Sequence, residues 1–217
     1  MPTTEILHCP LVAGSEIGNP DNHAAQIMKE VGDTLAQQDG VQQINFGMFV
    51  ESPDTLQLFV NWDSLSAHQT FMAAAHYQPF LKRFLTIAGG SPSIAHAELK
   101  PDGALSKALA APVTEVATFY FDSAPPGDAL DNAQKFAKMV EDGKAQGVLG
   151  AAVGITHEEI EREGVKGKGL VIAIGWTSVD AHMKFRETET FKENINLLRN
   201  GAKKIEMHHV AFMNFVA

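Results

Sequence analysis

A single cysteine, Cys9, stands in 217 residues, so no internal disulfide staples the chain. Long apolar runs are missing too: "LVIAI" and its neighbours fall far short of the ~20 residues that a membrane-spanning helix needs. No membrane partner is therefore expected. Basic residues are few, 17 Lys and Arg against 26 Asp and Glu, and no basic run offsets the formal charge of −9. That balance repels phosphate backbones, which argues against nucleic acid as a partner. The opening MPTTEILHCPLVAG has neither the basic segment nor the long apolar segment of a secretory signal. Together with the lone cysteine, this leads to the expectation of a reducing, cytoplasmic setting. What is present is the composition of a globular protein, 45% hydrophobic with 18 Gly and 10 Pro, long enough for one large domain or two small ones.

Catalytic signatures are equally sparse. There is no GxSxG elbow, no phosphate loop, no GxGxxG after a strand, and no HExxH or CxxC spacing. Nucleotide and flavin chemistry gain no support, and no cofactor is expected. Nine histidines invite a metal reading through His8, His96, His208 and His209. Adjacent strand residues point to opposite faces, however, so His208 and His209 cannot both enter one site, and no metal is expected. The same alternation separates Cys9 from His8 as a nucleophile pair. The acidic run His157 to Glu163 reads as a solvated loop.

The chain is written twice. "GVQQINFG" (Gly40 to Gly47) matches "GVLGAAVG" (Gly147 to Gly154), and "NWDSLSAHQTF" matches "GWTSVDAHMKF", pairing Trp62, Ser64, Ala67, His68 and Phe71 with Trp176, Ser178, Ala181, His182 and Phe185. A longer insertion at a hairpin tip in the second copy accounts for the change of offset between the blocks. Each half then reads in one order. Strands at 5–12 and 115–122 come first; next is a helix marked by Ile27, Val31 and Leu35 or by Ala133, Phe136, Ala137 and Val140. Hairpins follow at 42–50 with 56–62 and at 148–156 with 169–176, then a second helical region, interrupted by Pro79 in the first half. Last strands near 93–99 and 205–215 complete β-α-β-β-α-β twice. The fold class expected is α+β: two tandem ferredoxin-like repeats, residues 1–99 and 114–217, joined by a linker at 100–113. Each sheet has helices on one face only, so two fused units are expected to cover each other as an intrachain dimeric α/β-barrel. Any homodimer would then use outer surfaces.

The stretch "FVNWDSLSAHQTFMAAAHYQPF" resembles the antibiotic-biosynthesis-monooxygenase (ABM) domain of the dimeric α/β-barrel superfamily: a strand ending in Trp62, a polar turn, Ala67-His68 and Phe71 on a helix, then His76-Tyr77 and Phe80. His76 lies fourteen residues after Trp62, as in the family pattern; the second copy has Thr190 where that His would be and Gly175 for Asn61. The resemblance implies a small-molecule cavity between sheet and helices. It further implies a cofactor-independent monooxygenase of a small aromatic, quinol or polyketide-like compound, with O2 as co-substrate. The alternative is a non-catalytic small-molecule-binding or stress-response protein on the same scaffold. In such a monooxygenase the substrate supplies the electrons, so the protein must bind, deprotonate and exclude water. His76 is the candidate base and Tyr77 the candidate hydrogen-bond donor, making these two the catalytic candidates. Asn61, Trp62, Phe46, Met48 and Phe80 are the candidate substrate-binding residues. His68 and His182 hold equivalent positions and are expected to make structural hydrogen bonds to a neighbouring loop.

Overall fold

The computed structural model of the chain describes residues 2–215 and divides into two compact units. One comprises the described residues up to His96 together with those from Met213 onward; the other is Ala97–Phe212.

The first unit runs β1 (Thr3–Pro10), α1 (His23–Ala36), β2 (Val41–Met48), β3 (Thr55–Trp62), α2 (Leu65–Ala73), α3 (Tyr77–Phe84) and β4 (Ser93–Ala97). Its strand order, β4-β1-β3-β2, is that of a ferredoxin-like repeat. The apolar stripe of α1, with Ile27, Val31 and Leu35 all buried, packs on the alternate β3 residues Leu56, Leu58, Val60 and Trp62. Between α2 and α3 the chain breaks at Ala74, and Pro79 falls in the first turn of α3, where its missing N–H costs nothing.

The second unit begins with α4 (Ala104–Leu109), then repeats the order with β5 (Val113–Tyr120), α5 (Ala129–Met139), β6 (Val148–Arg162), β7 (Val165–Trp176), α6 (Val179–Arg186), α7 (Glu189–Asn194), α8 (Asn196–Arg199) and β8 (Lys204–Val210). Its strands are ordered β8-β5-β7-β6. Phe136, Ala137 and Val140 on and just after α5 meet Ile172, Ile174 and Trp176 of β7 in a second core.

The repeated motif has a physical reason at every shared position. Ser64 and Ser178 are N-caps whose hydroxyls accept from the backbone N–H of Ala67 at 3.2 Å and of Ala181 at 3.1 Å. Gly40 and Gly147 reverse the chain with φ near +90°, a conformation that L side chains rarely adopt. A β-carbon there would also meet the methyl of Ala67 or Ala181 within 3 Å. The shared Trp, His and Phe form a buried stack treated below.

Three segments differ from the sequence reading. The run Thr156 to Glu163 is strand, not loop: β6 and β7 continue as a ribbon to a tight turn at Glu163 and Gly164, both with positive φ. Charges alternate along a ribbon with solvent on both faces, so its hydropathy hides the strand. The expected strand over 205–215 stops at Val210; Met213–Asn214 form a separate strand, β9, on β2, with Asn45 opposite Asn214. Residues 100–113 carry α4, whose Ala104, Leu105, Ala108 and Leu109 are buried. That helix lies so close to β7 that a β-carbon on Gly175 would come 2.7 Å from the Ala108 carbonyl oxygen. Gly therefore stands where the first unit has Asn61.

Candidate active site

In each unit a Glu on the first strand, the Trp ending the third, a His on the next helix and a His on the last strand meet as one buried group. Strand register brings the first pair together: Thr3 lies opposite Trp62 and Val113 opposite Trp176, so Glu5 and Glu115, two residues further along, share a sheet face with the indoles. Trp62 Nε1 donates to Glu5 Oε2 at 3.0 Å, and Trp176 Nε1 to Glu115 Oε2 at 3.1 Å. The helix imidazole stacks on the indole, with centroids 4.8 Å apart for Trp62 and His68 and 4.9 Å for Trp176 and His182. Its Nε2 approaches the same carboxylate oxygen at 3.5 Å in the first unit and 3.3 Å in the second. Its Nδ1 meets His96 Nε2 at 2.7 Å or His209 Nε2 at 2.8 Å.

Burial raises both carboxyls above the ordinary carboxylate range, against the indole hydrogen bond, which lowers them. Glu115 is pushed up to about 7, with the Arg186 charge as a further opposing influence. Two lone pairs cannot face each other, so one proton must lie between carboxyl and imidazole and another between the two imidazoles. Moving both by one place converts a neutral Glu-His-His chain into a carboxylate with a terminal imidazolium, the proton count unchanged. Glu5, His68 and His96 also bring ligand-type atoms within 4.8 Å of one another. The imidazole nitrogens face each other at hydrogen-bond distance, which is the arrangement of a proton chain rather than of ligands converging on an ion.

The group borders a cavity in each unit. In the second, a cavity of about 80 Å³ is walled by Glu115, Trp176, His182, Phe136, Phe185 and Phe191, among others, with Arg186 and Arg199 also in its lining. In the first, the cavity is about 30 Å³, bounded by Glu5, His68, Phe71, Tyr77 and Phe80 with aliphatic neighbours. Phe71 and Phe80, edge-on at 5.1 Å, fill much of the corresponding space.

The residues singled out in the sequence lie at several places. Tyr77 and Phe80 wall the smaller cavity, and burial together with the Glu5 charge pushes the Tyr77 phenol up. Trp62 is completely buried behind His68 and Phe71. His76 is exposed, its Nε2 3.0 Å from Gln38 Oε1 and its ring packed on Phe71, outside the cavity wall. Phe46 and Met48 pack at the β2 side of the core, where Phe46 meets Phe215. Asn61 points to the other sheet face, accepting from Thr4 Oγ1 at 2.9 Å. Thr190 lies on α7, where its carbonyl accepts from Asn194. His68 and His182 do make buried hydrogen bonds, but to a strand His rather than to a loop.

Glu5, Glu115 and the pairing of His96 and His209 with the helix histidines escaped the sequence reading. A signal existed: "TEIL" and "TEVA" open the two first strands, and an acid in an otherwise apolar strand needs a partner.

No family model and no curated protein sequence matches the chain. Solved structures do. An anthrone oxidase-like protein superposes with a TM-score of 0.70 at 14% identity, over 98% of this chain and 93% of that one. The chain has a two-copy ABM-like fold. A Lactobacillus acidophilus protein provisionally named a monooxygenase matches at TM-score 0.59 and 13% identity, over 98% and 95% of the two chains. A Fusobacterium nucleatum protein, also provisionally named a monooxygenase, matches at 0.57 and 13%, over 96% and 91%. These likenesses extend over both copies of the ABM-like repeat. No helix among the described residues is long and apolar enough to cross a membrane.

Proposed function

We propose that the protein is a monooxygenase of a small hydroxylated aromatic or polyketide-like compound, acting without an added redox cofactor, with its chemistry in the cavity of the second unit. The observation that carries this reading is Glu115: a carboxyl on a cavity wall, held by Trp176 and His182, with its proton affinity raised to about 7. An ordinary carboxylate is too weak a base for a phenol or an activated methylene. One that titrates near neutrality can accept such a proton while still being ionised often enough to do so. The resulting carbanion or phenolate is electron-rich and passes an electron to O2. For an activated methylene the balance closes as RCH2 + O2 giving RC=O + H2O, with all electrons drawn from the substrate.

The aromatic wall of Phe136, Phe185 and Phe191 supports a flat apolar substrate and keeps water from the anion. His182 and His209 provide a place for the abstracted proton to go, restoring the carboxylate. The three superposing proteins are an anthrone oxidase-like protein and two provisionally named monooxygenases, which is consistent with oxygen chemistry on this scaffold.

The test is oxygen consumption with a panel of hydroxylated aromatics, anthrones and quinols. Glu115→Gln is expected to lower turnover of an accepted substrate by ~10²–10⁴-fold, the usual worth of a general base. Unchanged turnover in that variant would remove Glu115 from the mechanism. Absence of oxygen uptake with every compound would favour the non-catalytic binding role, for which the small, phenylalanine-filled cavity of the first unit is the supporting observation.

A further inference from the structure

The two cavities are built from corresponding elements yet differ in charge. Around the smaller one no Lys or Arg lines the wall; the residues beyond Glu5, His68 and Tyr77 are aliphatic or phenylalanine. The larger one adds two guanidinium groups, Arg186 at the end of α6 and Arg199 at the end of α8. Neither forms an ion pair with a carboxylate among the described residues, although Arg83, Arg162 and several lysines do. In a chain with 26 acidic against 17 basic residues, two unpaired arginines on one cavity wall are a local reversal of charge. Guanidinium groups match planar oxyanions such as carboxylates, by geometry as well as charge.

We propose that the cavity of the second unit binds an aromatic carboxylate, its ring against Phe136, Phe185 and Phe191 and its acid group on Arg186 and Arg199. The inference rests on the proposed function for the site's chemistry, naming its substrate class as a hydroxylated aromatic acid; binding itself does not depend on that chemistry. With the acid at the arginines, a ring hydroxyl is left to face Glu115, and the two acidic groups stay apart. Arg186 serves both ends, since its charge also acts on Glu115.

The test is calorimetric titration of the full chain with 4-hydroxybenzoate, benzoate, benzamide and phenol, with oxygen uptake followed in parallel. The carboxylates are expected to bind about 10-fold or more tightly than the neutral compounds, as a charge-assisted hydrogen-bond pair requires. Arg186→Gln and Arg199→Gln should each erode the preference, and the double variant should abolish it. Arg83→Gln, which removes an ion-paired arginine of the other unit, should leave it intact. Equal binding of benzamide and benzoate, a preference that survives in the double variant, or no binding by any of the four overturns the proposal. Carboxylate-selective binding without oxygen uptake would keep it and overturn the monooxygenase reading. Uptake with phenol alone, without selectivity, would do the reverse.

Discussion

Trp176 and Glu115 sit diagonally across the β5–β7 pair, and the indole N–H donates to Glu115 Oε2 at 3.1 Å. Trp62 and Glu5 repeat this relationship in the same register at 3.0 Å. A buried carboxyl without a donor is strongly unfavourable, so the strand-end Trp does more than fill space: it makes an acid tolerable inside an apolar sheet face. The acid in turn gives the helix His a reason to stack where it does.

Glu115 makes stability depend on pH with a definite sign. Its proton affinity rises on folding from the ordinary 4.5 to about 7, so between those values the folded state holds a proton that the unfolded chain has released. Stability from this group is fully present below about 4.5 and is lost as pH rises to about 7, a span worth on the order of 3 kcal/mol. Urea unfolding across this range should show Glu115→Gln gaining on the wild type as pH rises. Parallel stability curves for the two proteins would contradict the raised proton affinity.

Trp176→Phe keeps most of the ring volume and removes the donor. The carboxyl then loses an interaction that favours its charged form, so its proton affinity rises further and the acid limb of any pH–rate profile moves to higher pH. A loss of about 1–3 kcal/mol in stability is also expected. An unmoved limb would show that the titration belongs to a different group.

Much of this frame was legible. The duplicated Trp, Ser, Ala, His and Phe revealed two copies, and each proves to be a cap, a close approach or a stack. The partners of the stack were harder to read, because Glu5 reaches Trp62 only through the β1–β3 register, and His96 reaches His68 only once α2 lies over the sheet. His76 stood out by its spacing, yet what its ring faces depends on how the chain turns between α2 and α3. Strand β9 is two residues long and pairs with a strand more than 160 positions away, beyond any local pattern.

His76 and Glu115 are alternative bases in different units, and one experiment separates them. His76 hydrogen-bonds Gln38 at the surface and lies outside the cavity wall, whereas Glu115 forms part of one. With any accepted substrate, His76→Ala and Thr190→Ala are expected to keep turnover within about twofold, while Glu115→Gln loses the contribution of a general base. The opposite pattern would move the chemistry to the first unit and to Tyr77 and Phe80 beside it.

The segment from Met213 onward completes the first unit, and Gly32 with Phe215 allows its energetics to be measured. Gly32 is a buried residue inside α1, where Gly is less favourable than Ala by about 1 kcal/mol. A β-carbon there would come within 2.6 Å of three Phe215 ring atoms, so glycine leaves the ring a seat against the helix. Phe215 also meets Phe46 at 6.5 Å, and its N–H donates to the Ile44 carbonyl at 2.8 Å. Gly32→Ala alone should therefore destabilise by about 1–3 kcal/mol, the range for an overpacked site. Once Phe215→Ala has removed the ring, the same change should stabilise by about 1 kcal/mol through helix propensity. The sign reversal is the decisive outcome of this double-mutant cycle, read by urea unfolding. If Gly32→Ala has the same effect in both backgrounds, the ring does not occupy that seat in solution and the β9 segment contributes nothing to the first unit's core.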